Sequence, residues 1–220
     1  MSRRREELLQ SIFDRLEAAF GPQNWWPAET PFEVILGAIL TQNTAWKNVV
    51  KAIASLRENE LLSFERICEI PAPQLALLIR SSGFYNEKAK KIKGFCDYIL
   101  GECEGDLDGF LSQDPEALRS GLLGIRGIGP ETADSIVLYA AQKPSFVVDT
   151  YTYRIFSRHG WVDETVAYDD LRGYFMDVLE PDVAFYQEFH ALLVRTGHIY
   201  CRRKPLCESC PLNYFLENRE

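Results

Sequence analysis

The sequence predicts an all-α fold, on three observations. Apolar residues recur at the i, i+3, i+4 spacing of a buried helical face in stretch after stretch. The breaks between those stretches carry helix punctuation: capping Asp and Asn before the apolar runs, Gly after them. Strand signals are few, and the best of them, "SFVV" (145–148), is short. There is no internal repeat and no low-complexity linker.

In order, "REELLQSIFDRLEAAF" (5–20) has helical spacing. "PFEVILGAIL" (31–40) puts Pro31 in a first turn and then runs almost wholly apolar, as a helix enclosed on all sides must. "TQNT" (41–44) interrupts, and "AWKNVVKAIASLR" (45–57) resumes the pattern. "APQLALLIRSSGF" (72–84) is expected to stop at Gly83, and "NEKAKKIKGFCDYILGEC" (86–103) to be capped by Asn86. Asp114 is expected to cap "DPEALRSGLL", whose first turn is acidic. "ETADSIVLYAAQ" (131–142), "TYTYRIFSRHG" (150–160), "AYDDLRGYFMDVLE" (167–180) and "DVAFYQEFHALLVRTGH" (182–198) complete the helices.

With 220 residues, 46% hydrophobic and 12% aromatic, the chain can bury a substantial core in one domain or two small ones. It has no apolar run long enough for a membrane span and no apolar stretch after "MSRRREELLQ", so the expectation is a cytoplasmic protein without a secretory leader. The net charge of -8 argues mildly against nucleic acid. Local charge outweighs that sum, and "NEKAKKIK" (86–93) and "CRRK" (201–204) are compact basic spots, though either reads equally well as a solvated face. Cys68, Cys96 and Cys103 stand singly, as small buried hydrophobes do. Cys201, Cys207 and Cys210 cluster, which in a cytosolic chain points to metal before disulfides.

The chemistry concentrates in "LLGIRGIGPETADSIVLYAAQKPSFVVDT" (122–150). Gly124, Gly127 and Gly129 bend the backbone between two helices, with Arg126 inside the bend. Such a turn presents free N–H groups to an anion, most readily a backbone phosphate, without base contacts. The bland alternative is a helical hairpin whose glycines serve only the turn. Asp149 follows the apolar "FVV" and precedes a helix, so it can cap that helix while facing a ligand.

Residues 122–160 resemble the helix-hairpin-helix Gly/Pro-Asp motif of the endonuclease III superfamily of DNA glycosylases. "GAILTQNTAWKNV", "SGFYNEKAKKI" and "CRRKPLCESCPL" resemble the family's early helix and loop, its next helix and its C-terminal iron–sulfur loop. The resemblance implies two helical lobes with the active cleft between them. One is a bundle of residues 31–145 ending in the helix-hairpin-helix. The other joins 1–30 to 146–220 and carries the catalytic Asp and the cysteine loop. It implies that Asp149 is the catalytic carboxylate, stabilising positive charge on the sugar as the N-glycosidic bond of a flipped nucleotide breaks. Gln42 matches the residue that fills the gap left by that nucleotide. Monomeric action on double-stranded DNA containing a damaged base follows.

Three departures refine the expectation. Bifunctional members carry a lysine just after the Gly-x-Gly turn; here that position is Glu131, and Lys143 lies about three turns farther along. The reading is a monofunctional glycosylase with water as nucleophile. Trp25, Trp26 and Trp46 flank the early helix and loop, and aromatic walls attract the cationic ring of an alkylated purine such as 3-methyladenine. With no hairpin lysine, the chain looks like the 3-methyladenine glycosylase branch, although tryptophans are also ordinary core. Finally, Leu216 stands where the fourth cluster cysteine should be. A [4Fe–4S] cluster with an incomplete ligand set, a loop that has lost its cluster, and another metal held by three thiolates and His198 all remain open. Two alternatives to the function stand beside it: an endonuclease III-like glycosylase/AP lyase for oxidised pyrimidines, and a non-catalytic helix-hairpin-helix module that grips DNA.

Overall fold

A computed structural model describes residues 2–217. Met1 and residues 218–220, which the expected second lobe includes, lie outside the described residues. The described chain is helical throughout, with no strand. No described helix is long and apolar enough to cross a membrane.

The chain divides into two compact units, Trp26–Lys143 and Met1–Trp25 with Pro144–Glu220. The first contains α2 (Pro31–Leu40), α3 (Trp46–Glu58), α4 (Phe64–Glu69), α5 (Ala72–Leu78), α6 (Tyr85–Glu102), α7 (Leu107–Ser112), α8 (Pro115–Gly124) and α9 (Pro130–Ser135), which continues as a π-helical turn, Ile136–Ala140. α2 is its axis: nine of its ten residues are buried, and it packs on α3, α6, α9 and the π turn. Its start is capped twice. The Thr30 hydroxyl accepts the Glu33 N–H (3.1 Å), and the Glu33 carboxylate accepts the Glu29 N–H (3.1 Å). Arg57 of α3 then donates to Glu33 at 2.8 Å, tying α3 to α2.

The second unit contains α1 (Ser2–Phe20), α10 (Thr150–Arg158), α11 (Tyr168–Met176), α12 (Val183–Ile199) and the short α13 (Tyr214–Glu217). α1 and α10 both pack on α12. The core centres on Phe146, stacked on Phe175 at 3.9 Å and met edge-on by Phe189 and Tyr186.

Two local expectations are corrected. "SFVV" is extended and buried but pairs with no strand. It is apolar because Phe146 enters an aromatic core, while the Val148 N–H donates to the Tyr168 hydroxyl (3.4 Å) and Arg172 to the Ser145 hydroxyl (2.9 Å). Asn86 is not a cap: α6 begins one residue earlier, after Phe84, whose φ of 44° lies in the left-handed region and which makes no side-chain cap. Asp114 caps as expected, its carboxylate accepting the Ala117 N–H at 3.1 Å.

Candidate active site

The hairpin joins α8 to α9, and its alternation of side chains explains its sequence. Ile125 and Ile128 are buried and anchor it, whereas Gly124, Arg126, Gly127 and Gly129 are exposed. Only Gly127 needs to be glycine for backbone reasons: its φ is +96°, and an added Cβ would lie 2.6 Å from Lys91 Cγ. Gly124 ends α8, and Gly129 is an extended N-cap with φ −95°. The Gly127 and Gly129 N–H groups donate to no backbone carbonyl among the described residues. They are therefore available to an anion.

Behind the hairpin, Arg119 of α8 grips Asp134 of α9 through both carboxylate oxygens, at 2.9 and 3.2 Å. The Asp134 side chain is wholly buried. Breaking such a pair from one side costs about 3–5 kcal/mol, so it fixes the angle of the two helices. Sequence reasoning missed this pair; its signal is one carboxylate within the otherwise small and apolar "TADSIVL".

The loop after α2 lies against the hairpin. Gln42 Nε2 donates to Thr132 Oγ1 (2.9 Å) and to the Gly127 carbonyl (3.3 Å), while Lys91 Nζ donates to Gln42 Oε1 at 2.5 Å. Beneath the loop, buried Lys88 donates to the carbonyls of Leu40 (2.8 Å) and Ser82 (2.6 Å), the last residues of α2 and of the 3₁₀ turn Arg80–Ser82. Burial, and secondarily the charge of Lys91, lowers the Lys88 pKa from 10.5 to about 8. Phe84, at the tip of the next loop, is 71% exposed on its left-handed backbone. A bulky residue held there is strained, and its ring stands open to solvent. Its sequence signal was the aromatic residue directly after Gly83.

Trp26 and Trp46 come together. Trp26 meets Trp46 edge-on at 5.2 Å and Tyr139 at 5.3 Å. Gly37 makes room for the indole: a Cβ there would stand 3.0 Å from the Trp26 ring. Trp26 and Trp46, with Pro27, Val50, Glu33 and Arg57, line a cavity of about 470 Å³. Trp25 is half-buried and is not among the residues lining it.

In the other unit, Asp149 is the N-cap of α10. Its Oδ1 accepts both the Thr152 N–H (2.7 Å) and the Thr152 hydroxyl (2.9 Å). Thr152 is fully buried, so the carboxylate is held from a fixed point while the residue itself is half-buried. His190 of α12 lies within range of its charge; burial lowers the imidazole pKa, and Asp149 opposes that shift.

Cys201, Cys207 and Cys210 line one cavity of about 340 Å³, together with Leu216 and Arg158. Burial, with the neighbouring Cys201 and Cys207, raises the Cys210 thiol pKa. Arg154 Nε donates to the Cys201 carbonyl at 2.5 Å, and Arg158 Nη1 reaches Cys201 Sγ at 3.4 Å. No three His, Cys, Asp or Glu side chains among the described residues converge as ligands of one metal ion, and His198 does not line this cavity. The wall holds three thiols, the hydrocarbon of Leu216, and the polar side chains of His159, Tyr200 and Asn213, so three thiolates are the most it offers a [4Fe–4S] cluster.

Comparison with known proteins identifies the family. The chain is 45% identical over 217 residues to a provisionally named DNA repair glycosylase of Methanocaldococcus jannaschii, covering 98% of each. It is 32% identical to an endonuclease III of Sulfolobus acidocaldarius, over 85% of this chain and 83% of that one. Among solved structures it resembles the H. pylori 3-methyladenine DNA glycosylase MagIII bound to 1,N6-ethenoadenine, with TM-score 0.74, 31% identity, and coverage of 90% and 97%. An endonuclease III–DNA complex shares the fold at TM-score 0.80 and 22% identity, with coverage of 96% and 94%. A family model for HhH-GPD superfamily base excision DNA repair proteins matches residues 36–181. The chain therefore belongs to the HhH-GPD superfamily of base excision DNA repair proteins, and it is a DNA N-glycosylase.

Proposed function

We propose that this enzyme is a monofunctional glycosylase that flips an alkylated purine, such as 3-methyladenine, out of duplex DNA and hydrolyses its N-glycosidic bond. The observation that carries the substrate reading is the aromatic cavity of Trp26 and Trp46. Electron-rich ring faces stabilise a cationic, extended base by stacking and cation–π attraction. The name of the H. pylori relative supports the same class.

In this reading the exposed hairpin, with Gly124, Arg126, Gly127 and Gly129, grips a backbone phosphate. Gln42 fills the space vacated by the flipped nucleotide, and Trp26 and Trp46 bound the base, while Trp25, outside that cavity, is left without this role. As the C1′–N bond lengthens, the bonding pair leaves with the base, and the carboxylate of Asp149 stabilises the sugar cation. Water forms the new C1′–O bond and gives up its proton with the help of the same carboxylate. Thr152 holds Oδ1 through two hydrogen bonds, and no hydrogen bond among the described residues occupies Oδ2, the oxygen left for this work. Glu131 is exposed at the position where a lyase amine would stand, and a carboxylate cannot form an imine.

For the C-terminal loop the proposal is a [4Fe–4S] cluster on Cys201, Cys207 and Cys210 alone. It would close the loop and supply no step of base release.

The test is base release from duplexes carrying a panel of lesions, read by chromatography, with borohydride trapping on abasic DNA. Release of alkylated purines without a trapped covalent adduct is expected. Release of oxidised pyrimidines with efficient trapping would favour a glycosylase/lyase, the reading suggested by the endonuclease III relative.

A further inference from the structure

We infer that Lys91 is a positioning residue that parks Gln42 against the hairpin and releases it when its ammonium passes to a DNA phosphate. This rests on the gap-filling role proposed for Gln42. An ammonium has only donors, so it compels Gln42 Oε1 to face Lys91. The amide nitrogen must then face the Gly127 carbonyl and Thr132 Oγ1, as it does. Three contacts thus hold the side chain down on the hairpin, and it must break all three to enter a duplex.

The placement of Lys91 supplies the trigger. Its stem crosses Gly127, the turn residue whose N–H is open to an anion. Its charge, with those of Lys90 and Arg126, acts on the Glu87 carboxylate, whose pKa is lowered first by its hydrogen bond to Lys90. In a chain of net charge -8, Lys90, Lys91 and Arg126 thus outnumber Glu87 and the exposed Glu131 at the hairpin. A phosphate captured there competes for the Lys91 ammonium through the stronger charge–charge contact. Gln42 loses its tether as the strand is gripped, which links phosphate binding to gap filling across 49 residues of sequence.

The experiment compares Gln42→Ala, Lys91→Met, Lys91→Arg and the double variant Gln42→Ala/Lys91→Met on lesion-containing duplex. Lys91→Met is expected to weaken binding and flatten the dependence of log K on log salt by about 0.9, the loss of one phosphate contact. Lys91→Arg should restore that slope. At saturating DNA, Lys91→Met, in which no phosphate contact replaces the tether, should slow single-turnover excision by about two- to five-fold, the scale of one partly exposed charged contact, and only while Gln42 is present. An unchanged salt slope, or the same rate change with and without Gln42, overturns the proposal. Wild-type excision and binding by Gln42→Ala would overturn the gap-filling reading, and the proposal with it. A slowed Gln42→Ala whose effect merely adds to that of Lys91→Met overturns the proposal alone.

Discussion

Replacing Lys88 by Met tests how the two loops at the hairpin are held. The Lys88 side chain is 2% exposed, and its ammonium joins the carbonyl ends of α2 and the 3₁₀ turn, where the chain departs toward Gln42 and Phe84. Met preserves the stem but leaves two buried carbonyls unpaired, at about 1–3 kcal/mol each. Against this stands the cost of burying the charge. A pKa of about 8 against 10.5 corresponds to about 3 kcal/mol. The net expectation is a destabilisation of about 1 kcal/mol at pH 7, or a Tm lower by roughly 2–4 °C. The pH dependence carries the sharper test. Between pH 8 and 10.5 the folded protein sheds this proton before the unfolded chain does. The unfolded state then binds more protons, so wild-type stability rises with pH relative to the variant. Urea unfolding of both proteins, followed by helical circular dichroism at pH 7, 8.5 and 9.5, should show the gap widening. A gap that stays constant or narrows would refute the assignment of a buried, hydrogen-bonded ammonium.

Two further expectations concern the hairpin and the cysteine loop. Gly127→Ala must hold φ near +96° and push the Lys91 stem away, so it should lose about 1–2 kcal/mol of stability and weaken binding to duplex DNA, measured by melting and by fluorescence anisotropy. Anaerobically purified protein should contain iron and absorb broadly near ~400 nm, and Leu216→Cys should hold that colour longer in air; an iron-free preparation, with Cys207→Ser melting like the wild type, would contradict three-cysteine ligation.

Much of the fold was legible because it is local. The almost continuous apolar run of α2 declared an enclosed helix, and Asp114 and Asp149 declared the starts of α8 and α10. The misreadings have physical causes. Asn86 is chemically a good cap, but the left-handed Phe84 turns the chain into α6 before it. "SFVV" has strand composition, yet its partner is the Phe175 ring and not another strand. Three glycines looked equivalent, and the positive backbone angle and the Lys91 stem beside it separate Gly127 from its neighbours. The site was legible as residue types and not as contacts. Gln42 stood out in "TQNT", but its tether to Lys91 joins positions far apart in the chain. Trp26 and Trp46 meet because Gly37 leaves space for an indole, which no pattern along the chain declares.

The account stands on Asp149, and single-turnover base release by Asp149→Asn measures its role most directly. The amide can still accept the Thr152 hydrogen bonds through its oxygen, so the fold and DNA binding should persist, as melting and anisotropy on the same preparation will register. If the carboxylate stabilises the sugar cation as proposed, removing its charge should slow base release by ~2–4 orders of magnitude. A folded, DNA-binding Asp149→Asn protein that releases the base at near the wild-type rate would contradict the account.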